Sequence, residues 1–302
     1  MKTRQISDKL VFWGFLAPAL FAFVMVVIVP FVMGIYYSMT DWTAVAGLKP
    51  NWVGFENYKG MFSDIAFRYS FIRTFVFTLL SVISINFMAL VFAFLVTRDI
   101  KFRNFYRAGF FIPNLIGGLV LGYIWQFIFK SVVPALGAAL GIDALENLLL
   151  LADPNLTLFG LIFAFTWQYA GYIMMIYVAA LLNIPQELLE ASEIDGANFW
   201  HKLKNITLPM IAQAFTITSF LTLVNSFKQY DIIVALTSGG PTELYKDTVV
   251  NSTELLAVHI YNVAFKYNNM AEGQARAIIF FLVLSVVSIA QVYYNKKKEV
   301  EM

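Results

Sequence analysis

Polar side chains able to handle a solute are concentrated in three stretches that are otherwise apolar. The first carries Asn114, Gly117-Gly118, Trp125 and Gln126. The second carries Trp167, Gln168, Tyr169 and Tyr172, and the third Gln213, Asn225, Ser226, Lys228, Gln229 and Asp231. Amides both donate to and accept from hydroxyls, and aromatic rings offer flat apolar faces, so the set suits a polyhydroxylated ligand such as a sugar. On a helix, residues three or four apart share a face. Gln168 then lies with Tyr172, beside Trp167, Tyr169 and Gly171; Asn225 lies with Gln229, and Lys228 with Asp231. Pairing Lys228 with Asp231 would lower the cost of both charges in an apolar setting, whereas a free Lys228 would attract an acidic sugar or a phosphate. The same amides and hydroxyls also bond helix to helix, for about 0.6 kcal/mol each, and Trp and Tyr gather at membrane interfaces. Ligand contact and helix packing therefore stand as alternatives for these residues.

Other chemistries are excluded or unsupported. The chain has no cysteine, which removes disulfides and thiolate sites. His201 and His259 are far apart and offer no local metal-ligand spacing. No Ser/His/Asp set or paired intramembrane carboxylate suggests an enzyme. No G-x-x-x-x-G-K-[ST] loop is present for nucleotide hydrolysis. A net charge of +2 is too small to indicate nucleic acid as a partner.

The elements that must carry these side chains are membrane spans. Hydrophobic residues make up 60% of the 302 and charged residues 13%, about half the charged share of a soluble domain; the mean hydropathy is +0.71. A helix crossing hydrocarbon about 30 Å thick needs roughly 20 apolar residues. Six stretches qualify, at 10–37, 71–97, 108–129, 156–182, 208–236 and 277–294. The expected fold class is an all-α polytopic membrane protein, a single transmembrane domain over 1–302. The stretch Val132–Ala152 is apolar too, but Pro134, Gly137, Gly141, Asp143 and Glu146 argue against a lipid-exposed span. It is expected to form short helices at one membrane face. The N-terminal apolar run far exceeds the roughly 7–15 residues of a signal-peptide core, so it is expected to stay as the first span.

With six spans both termini share a side. That side holds 12 Lys and Arg in about 50 residues: Lys2, Arg4, Lys9, Arg98, Lys101, Arg103, Arg107, Lys202, Lys204 and Lys296–Lys298. The other side holds 8 in about 100. Cytoplasmic loops are enriched in Lys and Arg, so both termini should be cytoplasmic. A seventh span would place Lys296–Lys298 outside.

The loop at 183–207 reads NIPQELLEASEIDGANFWHKLKNIT. Pro185 suits the start of a helix, Asp195-Gly196 is a turn signal, and Asn198 can cap a second helix over Phe199–Asn205. A helix-turn-helix at the cytoplasmic surface is expected. One reading has it resting on lipid headgroups. Glu187, Glu190, Glu193 and Asp195 would be repelled by an anionic leaflet, which favours a protein partner.

Glu190-Ala191-Ser192, then Gly196, then Ile206-x-Leu208-Pro209, resembles the EAA loop of ABC-importer permeases, with Ser192 where alanine is usual. The string EASEIDGANFWHKLKNITLP resembles the version in carbohydrate-uptake permeases of the maltose- and glycerol-phosphate-type family, whose fold is the MetI-like, type I importer architecture. The segments LAPALFAFVMVVIVPFVMGIYYSMTDW, WVGFENYKGMFSD, FRNFYRAGFFIPNLIGGLVLGYIWQFIF and FKQYDIIVALTSGGP extend the likeness across nearly the whole chain.

The resemblance implies a permease, not an enzyme, in a prokaryotic plasma membrane. Glu190, Ala191, Ser192, Asp195, Gly196 and Ala197 would form the coupling element seated on a cytoplasmic ATPase. ATP and Mg would belong to that separate subunit, leaving no cofactor on this chain. The implied partners are a second, similar permease, two ATPase copies and an external solute-binding protein. The binding protein would meet the loops Asp41–Ser70 and Ser238–Ala275; the second contains Asn251–Tyr267, readable as an external amphipathic helix or a cap on the bundle. Substrate-lining positions of the maltose type correspond to Asn114, Gly118, Trp167, Gln168, Tyr169, Tyr172, Asn225, Ser226 and Gln229. A secondary transporter is the competing class, but no internal repeat supports it.

Overall fold

The computed structural model describes residues 2–45, 47 and 49–297, with side chains from residue 11 onward. Among the described residues five helices are long and apolar enough to cross a membrane: Val11–Ser38, Ile65–Thr97, Gly118–Leu140, Pro154–Leu182 and Met270–Lys296. A sixth span arises if Phe199–Met210 and Ala212–Phe227, bent by 68°, are taken together. The chain forms two compact units, Met1–Ser63 with Ile260–Phe281, and Asp64–His259 with Leu282–Met302.

In the first unit α1 (Lys2–Phe23) runs through a wide π turn, Val24–Ile28, into α2 (Val29–Ser38), and α3 (Glu56–Ser63) follows. The wide turn falls just before Pro30, and Val29 N–H reaches back to Val24 O instead of bonding one residue nearer. Proline lacks the N–H and its ring crowds the carbonyl four residues back. Among the described residues of α1 and α2, tight packing is limited to the end of α2. A Cβ on the buried Gly34 would lie 2.9 Å from Gln274 Oε1. Asn57 Nδ2 donates to Ser38 O and Thr40 O at 2.8 Å each, closing the helix end over the loop.

The second unit begins with α4 (Ile65–Thr97), capped by Asp64, and continues with α5 (Arg103–Leu115) and α6 (Gly118–Phe127). A second π turn, Ile128–Val132, leads into α7 (Val133–Leu140), followed by α8 (Asp143–Glu146) and α9 (Pro154–Leu182). The loop helices are α10 (Gln186–Ile194) and α11 (Phe199–Lys202); a third π turn, Leu203–Thr207, precedes α12 (Leu208–Met210), α13 (Ala212–Phe227) and α14 (Asp231–Thr237). Both of these π turns also end two residues before a proline, Pro134 and Pro209. Strands β1 (Thr242–Tyr245) and β2 (Thr248–Asn251) form an antiparallel hairpin, then α15 (Leu256–Tyr261) and α16 (Met270–Lys296) complete the chain, α16 passing from the first unit into the second.

α4 and α9 pack together along their length, burying Phe77, Ile85, Phe165, Ile173 and Met174. Gly171 lets α5 approach closely: a Cβ there would run into the backbone carbonyl of Phe110. A buried polar cluster fastens α4, α9 and α13. Tyr177 Oη donates to Asn86 Oδ1 and accepts from Thr218 Oγ1, both at 2.8 Å, while Asn86 Nδ2 donates to Thr222 Oγ1 at 3.1 Å. With hydrocarbon outside, such bonds supply packing specificity that apolar contact alone does not.

Four features differ from the expectation. The stretch 108–129 is not one helix: it breaks after Leu115 and resumes at Gly118, because Pro113 cannot donate and Gly117-Gly118 disfavour helix continuation. The stretch 208–236 is broken twice, at Ile211 and at Lys228–Tyr230. Val133–Leu140 extends the third helix past its π turn and does not stand apart; the αL residue Gly141 ends it. Asn251–Tyr267 is not one external helix, and the hairpin preceding it is an exception to an all-α chain: Lys246 and Asp247, both at positive φ, form the two-residue turn that a hairpin favours. Of the tail cluster, Lys298 lies outside the described residues.

Candidate solute cleft and the 183–207 loop

The two mid-helix breaks expose backbone that must be satisfied. At the first, Ile116 is extended, with φ −81° and ψ 126°, and its carbonyl accepts from Gln168 Nε2 at 3.0 Å. At the second, α13 ends at Lys228, whose N–H bonds Val224 O at 3.2 Å, and Tyr230 takes a non-helical conformation before Asp231 opens α14. Non-helical backbone at membrane depth is tolerated where it is buried in protein or lines a wet cavity. The second break borders an open cleft of about 200 Å³ lined by Tyr169, Asn225, Lys228, Gln229, Tyr230 and Asp231. The cleft offers an aromatic wall, two amides and one charge of each sign, a set that bonds hydroxyls.

The structure thus brings together Tyr169, Asn225, Gln229, Lys228 and Asp231. Lys228 and Asp231 form no ion pair among the described residues, since the helix that would hold them at i, i+3 is interrupted between them. The remaining positions serve elsewhere. Gln168 is buried and engaged at the first break. Ser226 is fully buried and donates to Thr222 O at 2.6 Å. Gly118 is a packing residue: a Cβ there would lie 2.9 Å from Asp231 Cβ, and one on Gly122 would lie 2.5 Å from Ala235 Cβ. Trp167 faces a separate apolar groove with Phe110, Pro113 and Phe163, and its ring meets Trp125 at 5.5 Å. Tyr172 is half-buried against the core, and Asn114, also half-buried, lies two residues before the extended Ile116. Gln126 Nε2 donates to Ala235 O and Leu236 O at the end of α14. Sequence reasoning missed Tyr230, flanked by two flagged residues, and the Asn86–Tyr177–Thr218 cluster, whose members are too widely spaced to stand out.

The loop at 183–207 folds as a helix-turn-helix. α10 ends in a two-bond Schellman closure: Gly196 N–H bonds Glu193 O at 3.0 Å and Ala197 N–H bonds Ser192 O at 2.9 Å. The closure puts Gly196 at φ +73°, where a side chain is strained although no atom lies within 4 Å of where its Cβ would be. The glycine is therefore required by the turn itself. Ser192 is buried, its Oγ donating to Leu189 O at 2.6 Å. Asn198 Oδ1 accepts from His201 N–H at 3.0 Å and caps α11. Lys202 Nζ bonds Glu193 Oε1 at 2.7 Å, clasping α11 to α10 and holding the Glu193 carboxyl below the usual carboxylate range. Glu190, Ala191, Asp195 and Gly196 are exposed and Ala197 is half-buried. Beside them large apolar groups are uncovered, Ile194 at 87% and Trp200 at 72% exposure, with Leu188 and Phe199 also exposed.

The family model for the inner membrane component of binding-protein-dependent transport systems matches residues 68–300. The chain is 42% identical over 301 residues to a probable starch degradation products transport system permease protein of Thermoanaerobacterium thermosulfurigenes, covering 100% of this chain and 99% of that protein. It is 33% identical over 302 residues to the multiple sugar-binding transport system permease protein of Streptococcus mutans, covering 99% and 100%. A chain in the crystal structure of a bacterial ABC transporter involved in import of the acidic polysaccharide alginate superposes with a TM-score of 0.79 at 19% identity, covering 97% of this chain and 98% of that one. A helical chain with interrupted spans, an exposed Schellman-closed loop and full-length likeness to such permeases belongs to the family of inner membrane components of binding-protein-dependent transport systems.

Proposed function

We propose that this chain is a permease subunit of an ABC importer that carries a sugar or oligosaccharide into the cytoplasm. The observation that carries the reading is the cleft at the α13/α14 break, where Tyr169, Asn225 and Gln229 converge beside interrupted backbone. The full-length relatives named for starch degradation products and for multiple sugars point the same way. ATP and Mg would be handled by two copies of a separate ATPase subunit, seated on Glu190–Ala197 and the uncovered Ile194 and Trp200. A second, similar permease would complete the path, and an external binding protein would deliver the solute. This reading counts six spans, with the bent pair as one, in a prokaryotic plasma membrane. Both termini and the 183–207 loop face the cytoplasm.

Lys228 favours a second reading. Its ammonium, which has no ion-pair partner among the described residues, would meet an anionic solute of the glycerol-phosphate type in the cleft it shares with Asp231. Reconstitution of the chain with its partner subunits in vesicles tests both. ATP-dependent uptake of maltooligosaccharides that survives Lys228→Met supports the sugar reading. ATP-dependent uptake confined to a phosphorylated or acidic solute, and lost in Lys228→Met, supports the second; uptake independent of ATP overturns both.

A further inference from the structure

The 68° bend between Phe199–Met210 and α13 shapes another cavity, separate from the solute cleft. It holds about 400 Å³, and both arms of the bend line it: Lys204 and Leu208 from the first arm, Phe215 and Thr216 from α13, with Ile211 at the corner. Tyr177 on α9 and Asn295 near the end of α16 line it as well. One turn before Asn295, Gln291 Nε2 donates to Thr216 O at 3.4 Å and ties α16 to α13. Leu208 and Phe215 remain exposed, so the cavity is an open groove with an apolar wall.

The polar side chains of the groove divide into those already engaged and those left over. Tyr177 Oη is bonded to Asn86 and Thr218, and Thr216 Oγ1 donates to Ala212 O at 3.2 Å. The side chains of Lys204 and Asn295 make no hydrogen bond or ion pair among the described residues, whereas Lys202, two positions earlier, is clasped to Glu193. No carboxylate lines the groove. Two other cavities set a carboxylate beside their lysine, Asp41 with Lys49 and Asp231 with Lys228. Tyr293 and Tyr294 are exposed beside Asn295, and the Lys297 ammonium stands 4.4 Å from the centre of the Tyr293 ring. Exposed aromatic residues with lysines mark the headgroup level of a bilayer. The polar end of the groove therefore lies where lipid phosphates lie, and its apolar wall follows α13 into the hydrocarbon. A free phosphate would satisfy the ammonium and leave that wall bare. An uncharged acyl chain would cover the wall and leave the ammonium unmet. A phospholipid does both, as in basic pockets between membrane helices. A zwitterionic headgroup would bring its own cation, for which this groove has no carboxylate.

We infer that this elbow is a binding site for one anionic phospholipid, with the headgroup phosphate on Lys204 and Asn295 and an acyl chain along Leu208, Ile211 and Phe215. The site needs the bilayer but not a transported solute, so its failure would leave the transport reading standing. The full chain, with the subunits that copurify with it, is placed in nanodiscs of equal parts phosphatidylglycerol and phosphatidylcholine. A benzophenone photoprobe stands at position 215 in one sample and, in another, at the exposed position 286 of α16, outside the groove. Mass spectrometry then identifies what each probe has captured. The probe at 215 should capture phosphatidylglycerol over phosphatidylcholine by about fivefold, the equivalent of about 1 kcal/mol for one lysine near anionic lipid. The probe at 286 should capture the two in the proportion of the bilayer. Lys204→Gln should bring the ratio at 215 down to that proportion, while Lys204→Arg and Lys297→Gln should preserve the preference. Lys204 and Lys297 are both exposed, so these variants test the site without disturbing the core. Capture of protein in place of lipid at 215, no headgroup preference there, an equal preference at 286, or a preference that survives Lys204→Gln would each overturn the assignment.

Discussion

Gly196 offers the sharpest test of the coupling role proposed for the 183–207 loop, because its environment separates backbone strain from contact. At φ +73° with no atom within 4 Å, an alanine there meets no clash and removes no contact. Its whole cost is that of holding an L-residue in the left-handed region, roughly 1–2 kcal/mol. That cost falls on the closure made by the Gly196 N–H to Glu193 O and Ala197 N–H to Ser192 O bonds. An energy of about 1.4 kcal/mol is tenfold in an equilibrium constant, so the intact turn loses about tenfold against a frayed one. Asparagine tolerates this conformation far better than alanine, so Gly196→Asn should lose little. The assay is binding of the cognate ATPase subunit to the detergent-purified permease. Gly196→Ala should weaken it by about 3- to 10-fold, Gly196→Asn by less than about twofold, and neither should lower the unfolding temperature, since the loop lies outside the α4–α9 core. Wild-type affinity in Gly196→Ala, or equal losses in both variants, would refute the claim that the glycine serves the turn. A bulkier replacement such as tryptophan tests less, because it adds strain and bulk together.

Other outcomes are expected. Tyr177→Phe removes the hydroxyl shared by Asn86 and Thr218; unfolding in detergent should show a loss of about 1–2 kcal/mol, and combining it with Asn86→Leu should cost less than the sum, an additive cycle excluding a connected cluster. Gly171→Ala forces a methyl against the Phe110 carbonyl, which as backbone cannot step aside; a destabilisation of about 1–3 kcal/mol is expected, and one below about 0.5 would mean that α5 yields freely. The Glu193–Lys202 clasp should be complete above the ordinary carboxylate pKa and be lost as pH falls through the depressed native value. Carbon-detected titration of Glu193 should place its midpoint below the 4.5 of an unperturbed glutamate, and Lys202→Met should return it there; a midpoint at or above 4.5 in the unaltered chain contradicts the clasp.

Much of the 183–207 loop was legible in the residues alone because its determinants are local. Pro185 starts α10, Asp195-Gly196 turns it and Asn198 caps α11, each through bonds spanning at most five residues. The apolar stretches were legible for the same reason: hydrocarbon demands length and composition, and both are counted along the chain. The cleft was legible only in part. Asn225, Gln229, Lys228 and Asp231 were marked by being polar in an apolar run, and they do line one cleft, but the expected pairing of Lys228 with Asp231 assumed a helix that Lys228–Tyr230 interrupts. Trp167 and Tyr169 were grouped by nearness in sequence, whereas on the unbroken α9 residues two apart face different ways, and the two point into different cavities.

What sequence by itself determined was where helices can lie in a bilayer and how the 183–207 loop closes on itself. Tertiary structure decided which polar residues face one another. Whether Gln168 meets a ligand or the free carbonyl of Ile116, and whether Arg73 is a loose surface charge or the joint between β1, Ser252 and Pro154, depends on partners 52 to 179 residues away. Such pairings arise from the approach of helices through Gly118, Gly122 and Gly171, and no periodicity within one segment encodes the height at which another segment crosses it.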